Sequence, residues 1–364
     1  MTFRNLSNYL RLAVSISLVL NLNSCLTYDD DDSIVDESDS ETDNTPQFTA
    51  VSCNGYPVGQ VNLPTDESPH DEPWEWWYWT GHLQTADGRW FGYETTFFII
   101  NTLGTKYLAV HHAISDIENE VFVHRQDVAL WDGNVPEAGF QFTLAGQSAT
   151  GADGIESIQG QVDNFTLDIN LNALKKPVLQ HGTGYHERSW GGFTYYYSRE
   201  RIETTGTITI DGEPLSVTGT SWFDHQWGAS PSATEPDPAT GWHWMALQLD
   251  DGREAMITTV QDVDGNSLLM AGTLTDSECH SQPLDETNIV MTPLREWTSP
   301  ETGCTYPLEW DITVGDLNLH ITPAMDNQEL TSAQKTYWEG AALISGDATG
   351  RAYVELVGYC SPES

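Results

Sequence analysis

Hydrophobic and polar residues alternate in short runs along the chain from about Tyr56 onward. Because the side chains of a β-strand point alternately to its two faces, such runs predict half-buried strands. Turn residues, for example at 86–88 and 211–212, separate the runs at intervals typical of hairpins. The predicted strands include residues 90–100, 107–115, 140–144, 165–171, 194–198 and 206–210. With no segment that has the period of a long amphipathic helix, the pattern predicts an all-β protein whose antiparallel sheets form barrels or sandwiches.

A segment with loop composition interrupts the series of strands at residues 230–238, where Ser, Pro and Asp predominate. A second series begins at Trp242, turns at residues 250–252 and resumes at residues 254–260. A weak sequence echo between the two series fits a duplicated barrel. We therefore predict two β-domains, at residues 56–230 and 240–364, joined near residue 235.

The first 25 residues have the pattern of a leader rather than of a folded element. Arg4 and Arg11 precede an apolar run at residues 12–20, and a lipobox-like site ends at Cys25. The run is too short for a confident membrane-spanning helix. We predict a signal peptide at residues 1–25 with lipidation of Cys25. The alternative is an ordinary signal peptide followed by an incidental cysteine.

Acidic residues dominate the charge of the chain, with 54 Asp and Glu against 14 Lys and Arg and a net charge of −40. This charge excludes nucleic acid as a partner. Nine acids between Asp29 and Asp43, without a basic residue, predict a disordered tether at residues 26–55. Together with the leader, the tether predicts an exported protein that is lipid-anchored to a bacterial membrane, at the outer membrane or cell surface. A periplasmic or secreted protein is the alternative.

Four further cysteines, Cys53, Cys279, Cys304 and Cys360, are expected to form two disulfides in an exported protein. Four cysteines allow three pairings. Pairing Cys279 with Cys304 is the local choice, and Cys53 with Cys360 would then tie the two ends of the folded body together. The sequence alone does not select between the pairings.

The segment at residues 74–83 crowds five aromatic rings around one carboxylate. As a strand it has one face formed by Glu75, Trp77, Trp79 and Leu83, and another formed by Trp74, Trp76, Tyr78 and His82. Both faces are therefore expected to be buried or to contact a ligand. An acid among aromatic rings is desolvated, which predicts a raised pKa and a proton-donor role for Glu75.

Two further aromatic segments carry titratable groups, and neither indicates a metal site or a cofactor. In residues 222–228, Asp224 and His225 point to opposite faces of a strand, so each needs partners from elsewhere. In residues 111–116, His112 points to an interior and His111 points away from it. Buried structural histidines are the alternative interpretation of His225 and His112. Adjacent strand residues diverge, which disfavours a shared metal ion.

The order of these motifs resembles that of the AttH and carotenoid 1,2-hydratase family of lipocalin-like proteins, which includes kievitone hydratase and fungal Diels-Alderases. The resemblance covers about residues 60–360. It is carried by His70 and by the segments at residues 75–78, 81–83, 112–116, 195–199, 222–228, 241–244 and 352–359. It implies two calycin-type antiparallel β-barrel domains with a hydrophobic pocket in or between them. The chain departs from the family at Gln226, where a Glu is frequent.

The resemblance implies an enzyme that hydrates a C=C bond of an isoprenoid or polyene-like lipophile. We expect Glu75 or Asp224 to donate the proton and His225 to position the water. The expected substrate contacts are Trp76, Trp77, Tyr78, His82, His112, Tyr197, Trp227, Trp242 and Trp244. Two alternatives stay open: a lipoprotein that binds a lipophile without chemistry, and a carbohydrate-active or carbohydrate-binding protein.

Overall fold

The computed structural model describes residues 53–231, 237–331 and 336–360. The predicted signal peptide with Cys25, and nearly all of the predicted tether, lie outside these residues. The described chain folds into two barrel-like antiparallel sheets, which confirms the all-β prediction. Its helical structure consists of two short 3₁₀ turns, Thr65–Glu67 and Gln180–Gly182. No helix in the described ranges is long and apolar enough to cross a membrane.

The first sheet has the strand order β4-β3-β2-β1-β12-β11-β8-β7-β6-β5, and β9 and β10 also pair with β11. It curls until β3 and β4 contact β5 and β7, so that its inner face encloses a core. The strands are β1 Trp74–Gln84, β2 Trp90–Thr102, β3 Thr105–Asp116, β4 Val121–Leu130, β5 Phe140–Leu144, β6 Gln147–Ala152, β7 Ile155–Val162, β8 Phe165–Ala173, β9 Val178–Leu179, β10 Tyr185–Glu187, β11 Phe193–Ile210 and β12 Glu213–Ala229.

The second sheet has the order β16-β15-β14-β13-β22-β21-β19-β18-β17, and β20 also pairs with β21. It curls in the same way, since β15 contacts β17. The strands are β13 Gly241–Leu249, β14 Glu254–Gln261, β15 Ser267–Thr275, β16 Ser281–Asp285, β17 Ile289–Thr298, β18 Thr305–Val314, β19 Leu317–Pro323, β20 Glu329–Leu330, β21 Tyr337–Gly346 and β22 Gly350–Val357.

The predicted strands at 194–198 and 206–210 are parts of one long strand, β11. The pairing register between β11 and β12 shifts between Arg199 and Ile202. Such a bulge inserts unpaired residues and interrupts the alternation of side chains. The break in the hydrophobic pattern therefore marks an irregularity within a strand and not its end.

Aromatic residues of the first sheet divide between two buried environments. The inward face of β1 contributes Trp77, Trp79 and Leu83 to the core of the first barrel. The outward face contributes Tyr78 to a separate cluster, where it meets Trp244 and Tyr353 of the second sheet. The two sheets therefore pack against each other through the outer face of β1, and neither face of this strand is a solvent-facing surface.

The disulfides join Cys53 to Cys279 and Cys304 to Cys360, each with a Cα–Cα distance of 5.1 Å. All four cysteines are paired as expected, but the pairing of Cys279 with Cys304 is wrong. The strand register explains the difference. Cys304, in the turn before β18, lies at the same end of the second sheet as the end of β22, whereas Cys279 follows β15 at the opposite end. Cys279 and Cys304 are close in sequence but thus lie at opposite ends of the second sheet.

A buried carboxylate, Glu254 of the second sheet, binds two basic residues, Arg201 on β11 of the first sheet and Lys175 in the turn that follows β8. The Lys175 ammonium donates to its Oε2 at 2.7 Å, and the Arg201 guanidinium donates to its Oε1. Arg201 also donates to the carbonyl of Leu249 at 2.8 Å. The Glu254 side chain has no exposed surface, so the removal of its charge would leave two cations facing each other in a desolvated site.

We predict that Glu254→Gln lowers the free energy of unfolding by about 3–5 kcal/mol, because it leaves the partners of a buried ion pair uncompensated. Asp251→Asn is the control, since Asp251 pairs with Arg253 at the surface and its loss should change stability by less than about 1 kcal/mol. Chemical denaturation followed by tryptophan fluorescence measures both variants. Equal midpoints for the two variants would contradict the prediction.

Candidate functional site

A cavity of about 360 Å³ lies between the two sheets. Its walls combine large apolar side chains with several buried acids and phenols, a composition typical of small-molecule sites. The apolar part is formed by Trp74, Trp76, Phe98, Trp190, Trp242, Trp244, Val260 and Leu269. The polar part includes Tyr78, Tyr196, Asp224, Gln226, Tyr337, Glu339 and Glu355.

The strand register places polar residues opposite each other across this cavity. On the first sheet, Tyr78 of β1 pairs with Asp224 of β12, and both side chains point outward to the cavity. On the second sheet, Glu355 of β22 lies between Trp244 of β13 and Glu339 of β21. Each wall of the cavity therefore carries at least one carboxyl group beside aromatic rings.

Asp224 is held rigidly in the first wall. Its Oδ1 accepts hydrogen bonds from the Ser198 hydroxyl at 2.5 Å and from the Trp222 indole at 2.7 Å. Its Oδ2 accepts from the Tyr196 hydroxyl at 2.5 Å, which in turn accepts from the Trp244 indole at 3.0 Å. Burial raises the pKa of Asp224 to about 7, although these hydrogen bonds favour the ionised form and act in the opposite direction. Asp224 can therefore exchange a proton near neutral pH.

The second wall holds a group of acids that the sequence did not single out. The Tyr78 hydroxyl donates to Oε1 of Glu339 at 2.5 Å, which joins the two sheets across the cavity. Burial, together with the charges of Glu94 and Glu355, holds the pKa of Glu339 well above its usual range. Glu94, which stands on β2 of the first sheet and does not line the cavity, also has its pKa raised by burial, to about 8. Both shifts favour the protonated form of these acids.

A sequence signal for the second wall does exist. An aromatic residue stands two positions before each acid on the same strand face, as Tyr337 before Glu339 and Tyr353 before Glu355. Side chains two apart in a strand share a face, so the pattern places a phenol beside a carboxyl group. No loop or Gly-rich motif marks these acids in the sequence. They lie side by side because β21 pairs with β22.

Glu75 and His225 lie on the opposite face of their strands, inside the first barrel. Oε1 of Glu75 is 2.8 Å from Nε2 of His225 and 2.6 Å from Nδ1 of His70, and Oε2 accepts the backbone N–H of His70 at 2.8 Å. Burial acts to raise the pKa of Glu75, but the hydrogen bonds and charges of the two histidines outweigh it and the pKa is lowered. The prediction of a raised pKa for Glu75 is therefore wrong. It considered the aromatic neighbours in sequence but not the partners from distant segments.

The two histidines differ in charge. The carboxylates of Asp66 and Glu75 outweigh the effect of burial and raise the pKa of His70 to about 9. Burial lowers the pKa of His225 to about 4 despite its hydrogen bond to Glu75. At neutral pH the network is thus a cationic His70, an ionised Glu75 and a neutral His225. The His70 ring also stacks on Trp227, with centroids 4.0 Å apart.

His70, Glu75 and His225 are also donors of the kind that bind transition metals, and their ligand atoms lie within 4.8 Å of one another. Here Nδ1 of His70 and Nε2 of His225 both form a hydrogen bond with the same oxygen of Glu75, Oε1. A metal-bound histidine almost always donates its other ring N–H to an acceptor, whereas Nδ1 of His225 has no hydrogen-bond partner among the described residues. The arrangement thus fits a hydrogen-bonded structural network better than a metal centre.

The other predicted contact residues fall into three groups. Trp76, Tyr78, Trp242 and Trp244 line the cavity. The interior of the first barrel contains Trp77, His112, Tyr197 and Trp227, where His112 pairs with Thr95 at 2.8 Å. His82 is buried between the sheets, beside a separate small void that Arg351 and Tyr353 also line. The structure therefore brings together the predicted residues of the outward strand faces and separates them from those of the inward faces.

Comparisons with solved structures support this description of the fold. A putative AttH protein from Nitrosomonas europaea matches with a TM-score of 0.76 and 28% identity, over 85% of this chain and 100% of that one. Kievitone hydratase from Nectria haematococca matches with a TM-score of 0.69 and 18% identity, over 86% of this chain and 97% of that one. A search of curated proteins found no match. The model of the AttH-like family matches residues 54–359, and the chain therefore belongs to that family.

Proposed function

We propose that this protein adds water to a carbon–carbon double bond of an apolar substrate held between the two sheets. The observation that carries the proposal is Asp224, a buried acid with a pKa raised to about 7 in the wall of a largely aromatic cavity. The fold shared with a protein named kievitone hydratase supports the same reaction class. Isoprenoid or polyene-like lipophiles, including carotenoid-type polyenes, are the proposed substrate class.

The chemistry requires a proton on carbon and then the attack of water. Asp224 transfers its proton to one alkene carbon, and the positive charge develops on the more substituted neighbour. The faces of Trp76 and Trp244 stabilise this cation electrostatically, since aromatic rings carry negative charge on their faces. Water then forms the C–O bond, and its surplus proton returns to the Asp224 carboxylate. The acid is regenerated and one water is added.

The location of Asp224 in the cavity wall and its raised pKa favour it over Glu75 as the proposed proton donor. Glu75 is ionised, engaged by two histidines and enclosed in the first barrel. It therefore has neither a proton to donate nor access to the cavity. His225 shares that enclosed network, so the water is positioned by the opposite wall, where Tyr78 and Glu339 provide polar groups. The Glu75 network acts as a structural support for β1 and β12.

A second function, binding of a lipophile without chemistry, is favoured by one observation. The donors around Asp224 are Ser198, Trp222 and Tyr196, so its two oxygens have hydrogen-bond partners without any ligand. A purely structural acid has this arrangement. The two functions differ in one observable. Lipophiles extracted from a carrier are unchanged, whereas those extracted from an enzyme after incubation in isotopically labelled water carry a labelled hydroxyl.

We further propose that the chain is exported and anchored through a lipid on Cys25. The leader pattern supports this, as do the two disulfides, because disulfides persist in oxidising compartments. We predict that cells labelled with palmitate incorporate it into the wild-type protein and not into Cys25→Ser. Unlabelled wild-type protein recovered from the soluble periplasmic or secreted fraction would contradict lipidation.

We predict that Asp224→Asn lowers turnover of a hydratable polyene by at least about 100-fold, the usual contribution of a general acid. Its affinity for the polyene should stay close to that of the wild type, because the amide keeps the shape of the wall. Glu75→Gln is the matched control, which should reduce stability and keep turnover of the same order. Product formation is followed by mass spectrometry as the gain of one water. Full activity of Asp224→Asn would contradict the assignment.

Turnover should depend on pH through Asp224. Burial raises the pKa of Asp224 to about 7, so its acid form predominates below that pH and is lost above it. Turnover is therefore expected to fall as the pH rises through about 7, and by about tenfold per unit well above it. Initial rates between about pH 5 and pH 9 measure this. A flat profile over that range, with the fold intact by circular dichroism, would contradict Asp224 as the acid.

A further inference from the structure

One end of the cavity differs in charge from the other. Arg188, His181 and His186 line the cavity near the point where β1 begins and β12 ends. Arg188 stands in the turn between β10 and β11. Its backbone N–H donates to the carbonyl of Gly192 at 3.1 Å, and its carbonyl accepts the N–H of Gly191 at 2.9 Å. The turn is therefore closed by backbone hydrogen bonds, and Arg188 is presented from a fixed position.

The Arg188 guanidinium has no ion pair or side-chain hydrogen bond to any residue that the structure describes. Its carbon lies 5.4 Å from the centroid of the Trp74 ring, which orients the group. Eight other basic residues of the described chain are ion-paired, namely Arg89, Lys106, Arg125, Lys175, Arg199, Arg201, Arg253 and Arg295. Lys176 and Arg351 have no ion pair among the described residues either, but they do not line the cavity, whereas Arg188 does.

Further donors surround this arginine. The rings of His181 and His186 stack with centroids 4.5 Å apart. Nε1 of Trp190 is buried and has no hydrogen-bond partner within the described part of the chain. Asp237 also lines the cavity, and its charge favours the charged form of Arg188, but it lies beyond ion-pair distance. A planar guanidinium with free N–H groups, in a cavity that an indole N–H also lines, matches the oxygens of a carboxylate or phosphate.

The acids lie toward the other end of the cavity. Trp74, under Arg188, and Tyr78, beside Asp224, are four residues apart on β1, which corresponds to about 13 Å along the strand. In their protonated forms Asp224 and Glu339 carry no charge, so this end of the cavity accommodates an apolar chain. The cavity thus has a cationic, half-exposed end and a buried, acidic and aromatic end. Such a gradient fixes the direction in which an amphiphile enters.

We propose that Arg188, assisted by His181, His186 and Trp190, binds the anionic head group of an amphiphilic substrate, a carboxylate or a phosphate monoester. The apolar chain then extends between the sheets, and its double bond reaches Asp224 at a distance from the head group. This inference rests on the proposed function for the reaction at Asp224. The recognition of the head group itself is a matter of binding, and it can be measured separately from turnover.

The test uses the full chain and two fluorescent polyenes that differ only in charge, cis-parinaric acid and its methyl ester. Wild-type protein should bind the acid at least about tenfold more tightly than the ester, because a charge-assisted pair with arginine forms only with the acid. Arg188→Gln should abolish this preference, because it weakens the binding of the acid and leaves the affinity for the ester unchanged. Arg351→Gln is the matched control. Arg351 also lies over a tryptophan, Trp90 at 4.4 Å, but does not line the cavity.

Displacement of the bound acid by dodecanoate and by dodecyl phosphate tells which anion is preferred. Equal binding of acid and ester by the wild type, undetectable binding of the acid, or an equal loss of both probes in Arg188→Gln would overturn the proposal. Asp224→Asn should bind the acid as the wild type does. A protein that prefers the acid but shows no turnover would therefore retain the head-group site and refute the hydratase, which keeps the two failures distinguishable.

Discussion

The alternation of side chains along β1 and β12 is the constraint on which the rest of the structure depends. In most antiparallel sheets one face of a strand is solvated, but here one face fills the first barrel and the other packs against the second sheet. Polar side chains on both faces are shielded from water, so each of them needs hydrogen-bond partners inside the protein. Glu75 finds two histidines on the inward face, and Asp224 finds hydroxyl and indole donors on the outward face. The difference between these partners separates an ionised structural acid from one that titrates near neutral pH.

Much of this could be predicted from the sequence, because it depends on local pattern. Alternating runs and turn residues predicted the all-β fold, and the period of two correctly divided the side chains of residues 74–83 between two faces. The local pattern does not show which distant residues contact each face. The pKa of Glu75 is set by His70 and His225, and the latter stands 150 positions away. Glu339 was missed for the same reason, since its significance depends on meeting Tyr78 of the other sheet. The pairing of the cysteines likewise follows from strand register and not from separation in sequence.

The acids of the cavity explain how a strongly acidic chain tolerates carboxyl groups between its sheets. Burial favours the neutral form, so Asp224 and Glu339 keep their protons to higher pH than surface carboxylates do. Neutral acids and tryptophans form a wall compatible with an apolar chain, whereas Arg188 provides a positive charge at the half-exposed end. The proposed chemistry and the proposed head-group site are thus two consequences of one gradient in polarity across the interface between the sheets.

The space between the sheets, and not the interior of a barrel, is the proposed substrate site. A crystal structure of the protein with a bound polyene acid distinguishes the two locations. We predict that the polyene lies between Trp76 and Trp244, with its carboxylate at Arg188 and a double bond in contact with Asp224. A ligand enclosed in the first barrel, against Glu75 and His225, would contradict it.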